Sequence, residues 1–208
     1  MMRTLLSVVV ALATALTPIS AEAQAQRTAA ALVLAEGIVY LNDRPVEASS
    51  APSVLPDAAV LRTTQGRAVI ALKRGGWLFL DVGASVRVLG NGVYNFNRLE
   101  VLTGSAIVAS GTSTPLIDCE NQIRLSDAGF FRFDAQPLDS RGERPCRVRV
   151  YEGAAAVQLV TVTNALRAGQ TMTCNSRCGD MIPTSEFSPG QLDGFDQWAR
   201  RAHELLRR

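Results

Sequence analysis

The sequence predicts an all-β fold: an elongated β-sandwich or β-roll with hairpin-like internal repeats, closed by one C-terminal amphipathic α-helix. Three observations carry this. A unit of extended strand, glycine turn and second strand occurs at LRTTQGRAVI, LEVLTGSAIV and VRVYEGAAAV. Apolar residues fall at alternate positions through most segments between 32 and 173, the two-residue period of a strand with one face inward. Beyond 184 that period gives way to spacings of three and four.

The three units align on Gly66, Gly104 and Gly153. Leu61, Leu99 and Val148 precede the glycine by five residues, Ala68, Ala106 and Ala155 follow it by two, and Ile70, Val108 and Val157 by four. All nine positions are expected to point inward, with the glycine making the tight turn. A second glycine precedes another strand in each unit: Gly83 before VRV, Gly129 before FFRF, Gly169 before QTMT.

In chain order, residues 1–23 have the pattern of a secretory signal peptide. Arg3 is followed by an apolar run from Leu5 to Leu16, then Pro18 and an Ala21-Glu22-Ala23 cleavage site. The run is shorter than the roughly 20 residues a membrane-spanning helix needs; an uncleaved anchor is the alternative. A mature chain of about 185 residues, enough for a domain with a real core, is expected to start near Gln24. Arg3 and Glu22 leave together, so the formal charge stays +2. That balance argues against nucleic acid as a partner.

Residues 24–31 are expected to be flexible, 32–183 to form the β-domain and 184–208 the helix. ALVLAEGIVYLNDRPV reads as a strand pair turning at Asn42-Asp43. Trp77 and Phe79 alternate with Leu78 and Leu80, so that strand is apolar on both faces and should be covered on both. LIDCENQIRLSDAGFFRFDA reads as two strands hairpinned at Asp127-Ala128-Gly129, and QPLDSRGERP as an exposed loop. Ser188, Pro189 and Gln191 fit a helix start. Leu192, Phe195, Trp198, Ala199, Ala202, Leu205 and Leu206 make its apolar stripe. Phe195 and Trp198 are expected to dock it on the β-domain, with a detachable partner-binding helix as the alternative.

Cys119, Cys146, Cys174 and Cys178 all lie in the exported portion, where an even count favours two disulfides. Cys174 and Cys178 are close enough to pair across a turn, leaving Cys119 with Cys146. The hairpin reading puts those two at one end of one sheet on either side of a middle strand, about 9.5 Å apart unless Cys119 leaves the ladder. A zinc site is the alternative, though Cys174-x3-Cys178 is only half of such a motif.

No catalytic constellation emerges. His203 is the lone histidine, the carboxylates are scattered with Asp180, Asp193 and Asp196 in the most acidic region, and GxxxxGK[ST], HExxH and GxSxG are all absent. The expectation is no enzyme, no cofactor and no metal ligands. Trp77, Tyr94 and Phe96 are candidate binding aromatics if the chain contacts carbohydrate or peptidoglycan. A cryptic hydrolase would need two carboxylates converging in a pocket.

The ordered run VLRTTQGRAVIAL, LFLDVGASVRVL, LEVLTGSAIVA, LSDAGFFRFDA and CRVRVYEGAAAVQ resembles the FecR family of extracytoplasmic β-domains, over about residues 58–174. FDQWARR resembles the tail of its stand-alone exported members. The resemblance implies a periplasmic or secreted bacterial β-domain that binds or scaffolds another envelope protein. Membrane-anchored members relay signals from siderophore receptors to a sigma factor. With a cleavable leader here, no route to a cytoplasmic sigma factor is expected, and no iron-binding residue is carried over.

Overall fold

The computed structural model describes residues 30–46, 53–72, 75–89, 98–111, 115–126, 128–140, 142–159, 162–174 and 183–207. The expected signal peptide, Tyr94, Phe96, Cys178 and Asp180 lie outside the described residues. In chain order the strands are β1 (Ala31–Glu36), β2 (Val39–Leu41), β3 (Arg44–Val46), β4 (Ser53–Val54), β5 (Ala59–Thr63), β6 (Arg67–Ala71), β7 (Trp77–Leu80), β8 (Ser85–Leu89) and β9 (Arg98–Ala109). They continue with β10 (Leu116–Cys119), β11 (Asn121–Leu125), β12 (Phe130–Ala135), β13 (Cys146–Glu152), β14 (Ala154–Gln158), β15 (Thr163–Arg167), β16 (Gln170–Cys174) and β17 (Thr184–Glu186). The helix α1 (Gly194–Leu206) ends the described chain.

Among the described residues the fold is all-β with one C-terminal helix, as the alternation and the later spacing of three and four predict. The ladders form two layers. The helix-side layer runs β4-β1-β6-β7-β9-β12-β13-β16-β17. The far layer runs β3-β2-β5-β8-β9-β10-β11-β14-β15. β9 belongs to both. Its first half pairs with β8 and β10, and its second half, from Gly104 on, with β7 and β12.

The glycine units differ from the hairpin reading. β5 pairs with β2 and β8, β6 with β1 and β7, and never with each other. The chain crosses between layers at Gly66, Gly104 and Gly153, and equally at Gly37, Gly83, Gly129 and Gly169. Each unit is an arch with one arm in each layer. Alternating apolar residues around a glycine read alike in a hairpin and an arch. The difference lies in whether the arms face each other across hydrogen bonds or across the core. The close approach of neighbouring corners explains the residue type. A Cβ on Gly66 would lie 1.7 Å from the Glu36 carbonyl oxygen, and one on Gly104, at φ +76°, 2.7 Å from the Ala84 Cα. All nine aligned apolar residues are buried in the core between the layers.

The registers place the corners on two edges. Glu36 pairs with Arg67, Ala68 with Leu80 and Leu80 with Ala106, so Gly37, Gly66, Gly83 and Gly104 share one edge. Phe130 pairs with Ala109 and with Glu152, so Gly129 and Gly153 lie on the opposite edge.

True hairpins occur elsewhere. Asn42 and Asp43 turn β2 into β3 with φ 48° and 61°, the two left-handed residues of a tight strand connection. Glu120, at φ 63°, turns β10 into β11. The hairpin expected at Asp127-Ala128-Gly129 does not form: Asp127 lies outside the described residues, and β11 and β12 on either side of the turn lie in the far layer and the helix-side layer.

This moves the cysteines. Cys119 ends β10 in the far layer, Cys146 starts β13 in the helix-side layer, and they are joined in a disulfide with Cα atoms 5.8 Å apart. The middle-strand obstacle disappears because the bond crosses the core, and these two sulfurs are not zinc ligands.

At the ends the boundaries shift. Ala30 and Ala31 are buried, so β1 takes in the last residue of the stretch expected to be flexible. β17 pairs with β16 inside the segment expected to hold the helix alone. The helix starts at Gly194, not near 189, because Asp193 is its N-cap. The Asp193 carboxylate accepts from the backbone N–H of Phe195 and Asp196, both at 2.9 Å, while Asp196 Oδ2 accepts from Asp193 N at 3.0 Å. Ser188 closes a turn instead, its carbonyl accepting from Gln191 N at 3.0 Å. Gly190 and Gly194 would weaken an earlier start. No helix of the described residues is long and apolar enough to cross a membrane.

Candidate functional site

Side chains on the helix-side layer alternate between the core and an outer face, and α1 divides that face into a covered and an open half. Under the helix, Val69, Phe79, Ile107, Ala109, Phe130 and Tyr151 pack against Phe195 and Ala199, with Trp198 and Trp77 half-buried beside them. Phe79 meets the Trp198 ring edge-on at 6.0 Å, and Phe195 stacks on Trp198 at 6.0 Å. Burying the Phe195 ring contributes about 1.5–3 kcal/mol.

Arg132 fixes the N-terminal end of the helix. Its side chain is 8% exposed and sits on β12 between the two halves. Its Nε donates to Asp134 at 2.8 Å, and its Nη1 to Asp193 at 2.5 Å and Asp196 at 3.0 Å. The Phe195 ring lies 5.5 Å from the guanidinium carbon. Burial alone would lower the proton affinity of this group, but Asp134, then Asp193 and Asp196, outweigh it and raise it above its usual value. Burial likewise opposes ionisation of Asp193, yet the Asp196 amide, Arg132 and the Phe195 amide hold its carboxyl below the usual range. The helix cap and the sheet are therefore one charge network.

His203 sits at the other end of the helix, with its ring 6.3 Å from Phe79 and 6.2 Å from Phe130. Burial, then Arg207 and Arg200, push its pKa down against the smaller pull of Glu152 and Glu204. Arg200 pairs with Glu152 at 2.7 Å and lies over the Phe130 ring at 4.7 Å.

The open half carries polar residues in register. One rung runs Ser105, Asp134, Arg147, Thr173 across β9, β12, β13 and β16. The next runs Arg132, Arg149, Thr171, Ser185 across β12, β13, β16 and β17. Above them lie two shallow grooves, about 600 Å³ and 550 Å³, that share Arg147, Arg149 and Thr173 and so form one trough beside the helix. Tyr151, Phe187 and Gln191 line its helix end, Gln136 and Pro137 the other. Arg149 reaches Asp134 only at 3.5 Å. Arg147 is exposed and, among the described residues, has no ion-pair partner. On the far layer Arg87 pairs with Glu100 at 2.5 Å, Arg98 with Asp118, and Arg62 lies 4.6 Å from the Tyr40 ring, while Arg124 is exposed as Arg147 is.

Among the candidate residues, Trp77 lies in the cluster under the helix, and Phe195 and Trp198 lie on the same cluster from the helix side. Asp193 and Asp196, noted in sequence only as acidic neighbours, converge on Arg132. Sequence reasoning passed over Arg132, Arg147 and Arg149. The available signal was an arginine at the outward position of two strongly apolar strands, FFRF and CRVRV. Among the described residues, no group of three or more His, Cys, Asp or Glu side chains is placed to hold a metal ion.

No family model and no curated protein matches the chain. Two crystal structures of a protein from Parabacteroides distasonis ATCC 8503, described as a "putative anti-sigma factor" and solved at 2.50 Å and 1.65 Å, share the fold with a TM-score of 0.51. The identities are 16% and 15%, and each match covers 62% of this chain and 60% of that one. The likeness therefore spans less than two thirds of either chain and is one of fold.

Proposed function

We propose that this chain is an exported, non-catalytic FecR-like domain that binds or scaffolds another protein of the bacterial cell envelope. The observation that carries the reading is the open half of the helix-side layer, a long polar trough on a rigid two-layer frame, with Arg147 exposed beside a fixed helix. Such a surface suits contact with an extended partner better than enclosure of a small molecule. The inter-layer disulfide fits an oxidising compartment, and the ordered glycine units fit the family resemblance.

The test is site-specific photo-crosslinking in living cells, with the probe at Thr173 in the trough and at Gln122 on the far layer. A discrete adduct from Thr173 to one identified envelope protein, absent from Gln122, is expected. Retention of the chain in the cytoplasm, or equal adducts from both positions, overturns the reading. Sedimentation with purified peptidoglycan, undiminished after substitution of the trough arginines, would support a glycan-binding module instead.

A further inference from the structure

The trough beside the helix, we infer, recognises an extended acidic segment of the partner, with alternate carboxylates seated on Arg147 and Arg149. This rests on the binding-domain reading and adds the chemistry of the partner to it. Arg147 and Arg149 are two residues apart on β13 and point to the same face, a spacing of about 6.4–6.8 Å along a strand. An extended peptide repeats its own alternate side chains at the same distance. A segment with acidic residues at every second position therefore matches both guanidiniums at once, with two charge-assisted contacts in register.

The surrounding charges favour that occupant. Asp134, Asp193 and Asp196 all turn toward Arg132. Among the described residues Arg147 has no ion-pair partner, and Arg149 has a long contact to Asp134 at 3.5 Å and a side-chain hydrogen bond with Tyr151. Gln136, Ser185 and Gln191 are exposed along the trough and can pair with the amides of a ligand backbone. The anchoring arginines sit on a strand whose inward residues Val148 and Val150 are fully buried, so the spacing is rigid.

The experiment measures binding of fluorescein-labelled octapeptides to the folded chain by anisotropy: alternating Thr-Glu, the same composition with the glutamates clustered, and alternating Thr-Lys. The Thr-Glu peptide is expected to bind most tightly and to weaken with salt. Arg147→Gln and Arg149→Gln should each weaken it by about tenfold or more, the loss of one charged hydrogen-bonded contact. Arg124→Gln, at an exposed arginine on the far layer, should leave it unchanged, and Arg147→Glu should turn the preference toward Thr-Lys. Far-ultraviolet circular dichroism checks that each variant is folded. Equal binding of alternating and clustered peptides, insensitivity to Arg147→Gln, or equal competition by an acidic polysaccharide overturns the inference. If the Thr173 crosslink to an envelope protein survives while the Thr-Glu peptide fails to bind, the domain reading stands and the acidic partner falls. Loss of the crosslink itself counts against the domain reading.

Discussion

Replacing Arg132 by methionine tests whether the helix is held by the charge network or by apolar packing alone. The guanidinium contacts three carboxylates whose side chains differ in exposure: 1% for Asp196, 15% for Asp134 and 51% for Asp193. Methionine fills much of the volume but leaves the Asp196 carboxylate buried without its cation, with the Asp193 amide and the Tyr151 hydroxyl still reaching it. Removing one partner from a buried ion pair costs about 3–5 kcal/mol, much of it the stranded charge. Asp193 is half solvated, so Asp193→Ala should cost only the cap, about 0.5–2 kcal/mol. The assay is urea unfolding followed by tryptophan fluorescence, since Trp77 and Trp198 both report on the helix cluster. Adding Asp196→Asn to Arg132→Met removes the stranded charge, so the double variant should be more stable than the sum of the two single losses predicts, by at least about 1 kcal/mol. A loss below about 1 kcal/mol for Arg132→Met, or strict additivity in the double variant, would refute the reasoning.

Gly104→Ala should cost about 1–3 kcal/mol from the left-handed φ alone, with the clash against the Ala84 backbone added. Gly83→Ala has a similar φ of 75° and open space around the new Cβ, so it should cost less; equal midpoints for the two would refute the close-approach argument. Reducing the Cys119–Cys146 bond, which spans a sequence separation of 27, should remove about 3–4 kcal/mol on the chain-entropy view. Hydrogen exchange should then rise first at β10, β13 and β16, and uniform exchange across the domain would contradict a local staple. His203 has a folded pKa below the usual imidazole value of about 6.5. Its contribution is therefore intact above that value and is lost as pH falls through it toward the folded value, because the unfolded chain takes up the proton first. The thermal midpoint should drop between pH 7.5 and 5.5 and drop less in His203→Gln; equal slopes would exclude the histidine as the cause.

Facing was legible in the sequence and pairing was not. The nine aligned residues around Gly66, Gly104 and Gly153 all point into the core because alternation reports which side of a strand is wet. It says nothing about which strand lies next door. Alternation around a glycine therefore suits a ladder as well as an arch, and here the two arms of each unit face each other across the core. The Asn42-Asp43 hairpin was readable because its two left-handed residues are a local demand that the side chains advertise. Glu120 carries no such mark and was missed. The helix stripe is legible except at Leu205, which is 68% exposed while Leu192, Phe195, Trp198, Ala199, Ala202 and Leu206 join the cluster, and Ser-Pro-x-Gln at Ser188 is a good local cap that the structure does not use. Asp193 prevails because its capping partner Asp196 is also anchored by Arg132, a contact 64 residues away. The trough arginines illustrate the same limit, since each is unremarkable alone and the site exists only through the register of five strands.

The shared strand β9 has a kinetic consequence. Among the described pairings, every strand before it pairs only with strands up to β9, and every strand after it only with β9 or later ones. The first half of the chain can therefore assemble both of its layers while the second half is still emerging. During that interval β9 presents an unpaired edge in each layer, the kind of edge that invites aggregation. Its occupants are β10 and β12, which reach Arg98–Glu100 and Gly104–Ala109. A chain halted after Ala109 would thus display a ready template, and how quickly β12 arrives sets how long that template stays open to strangers.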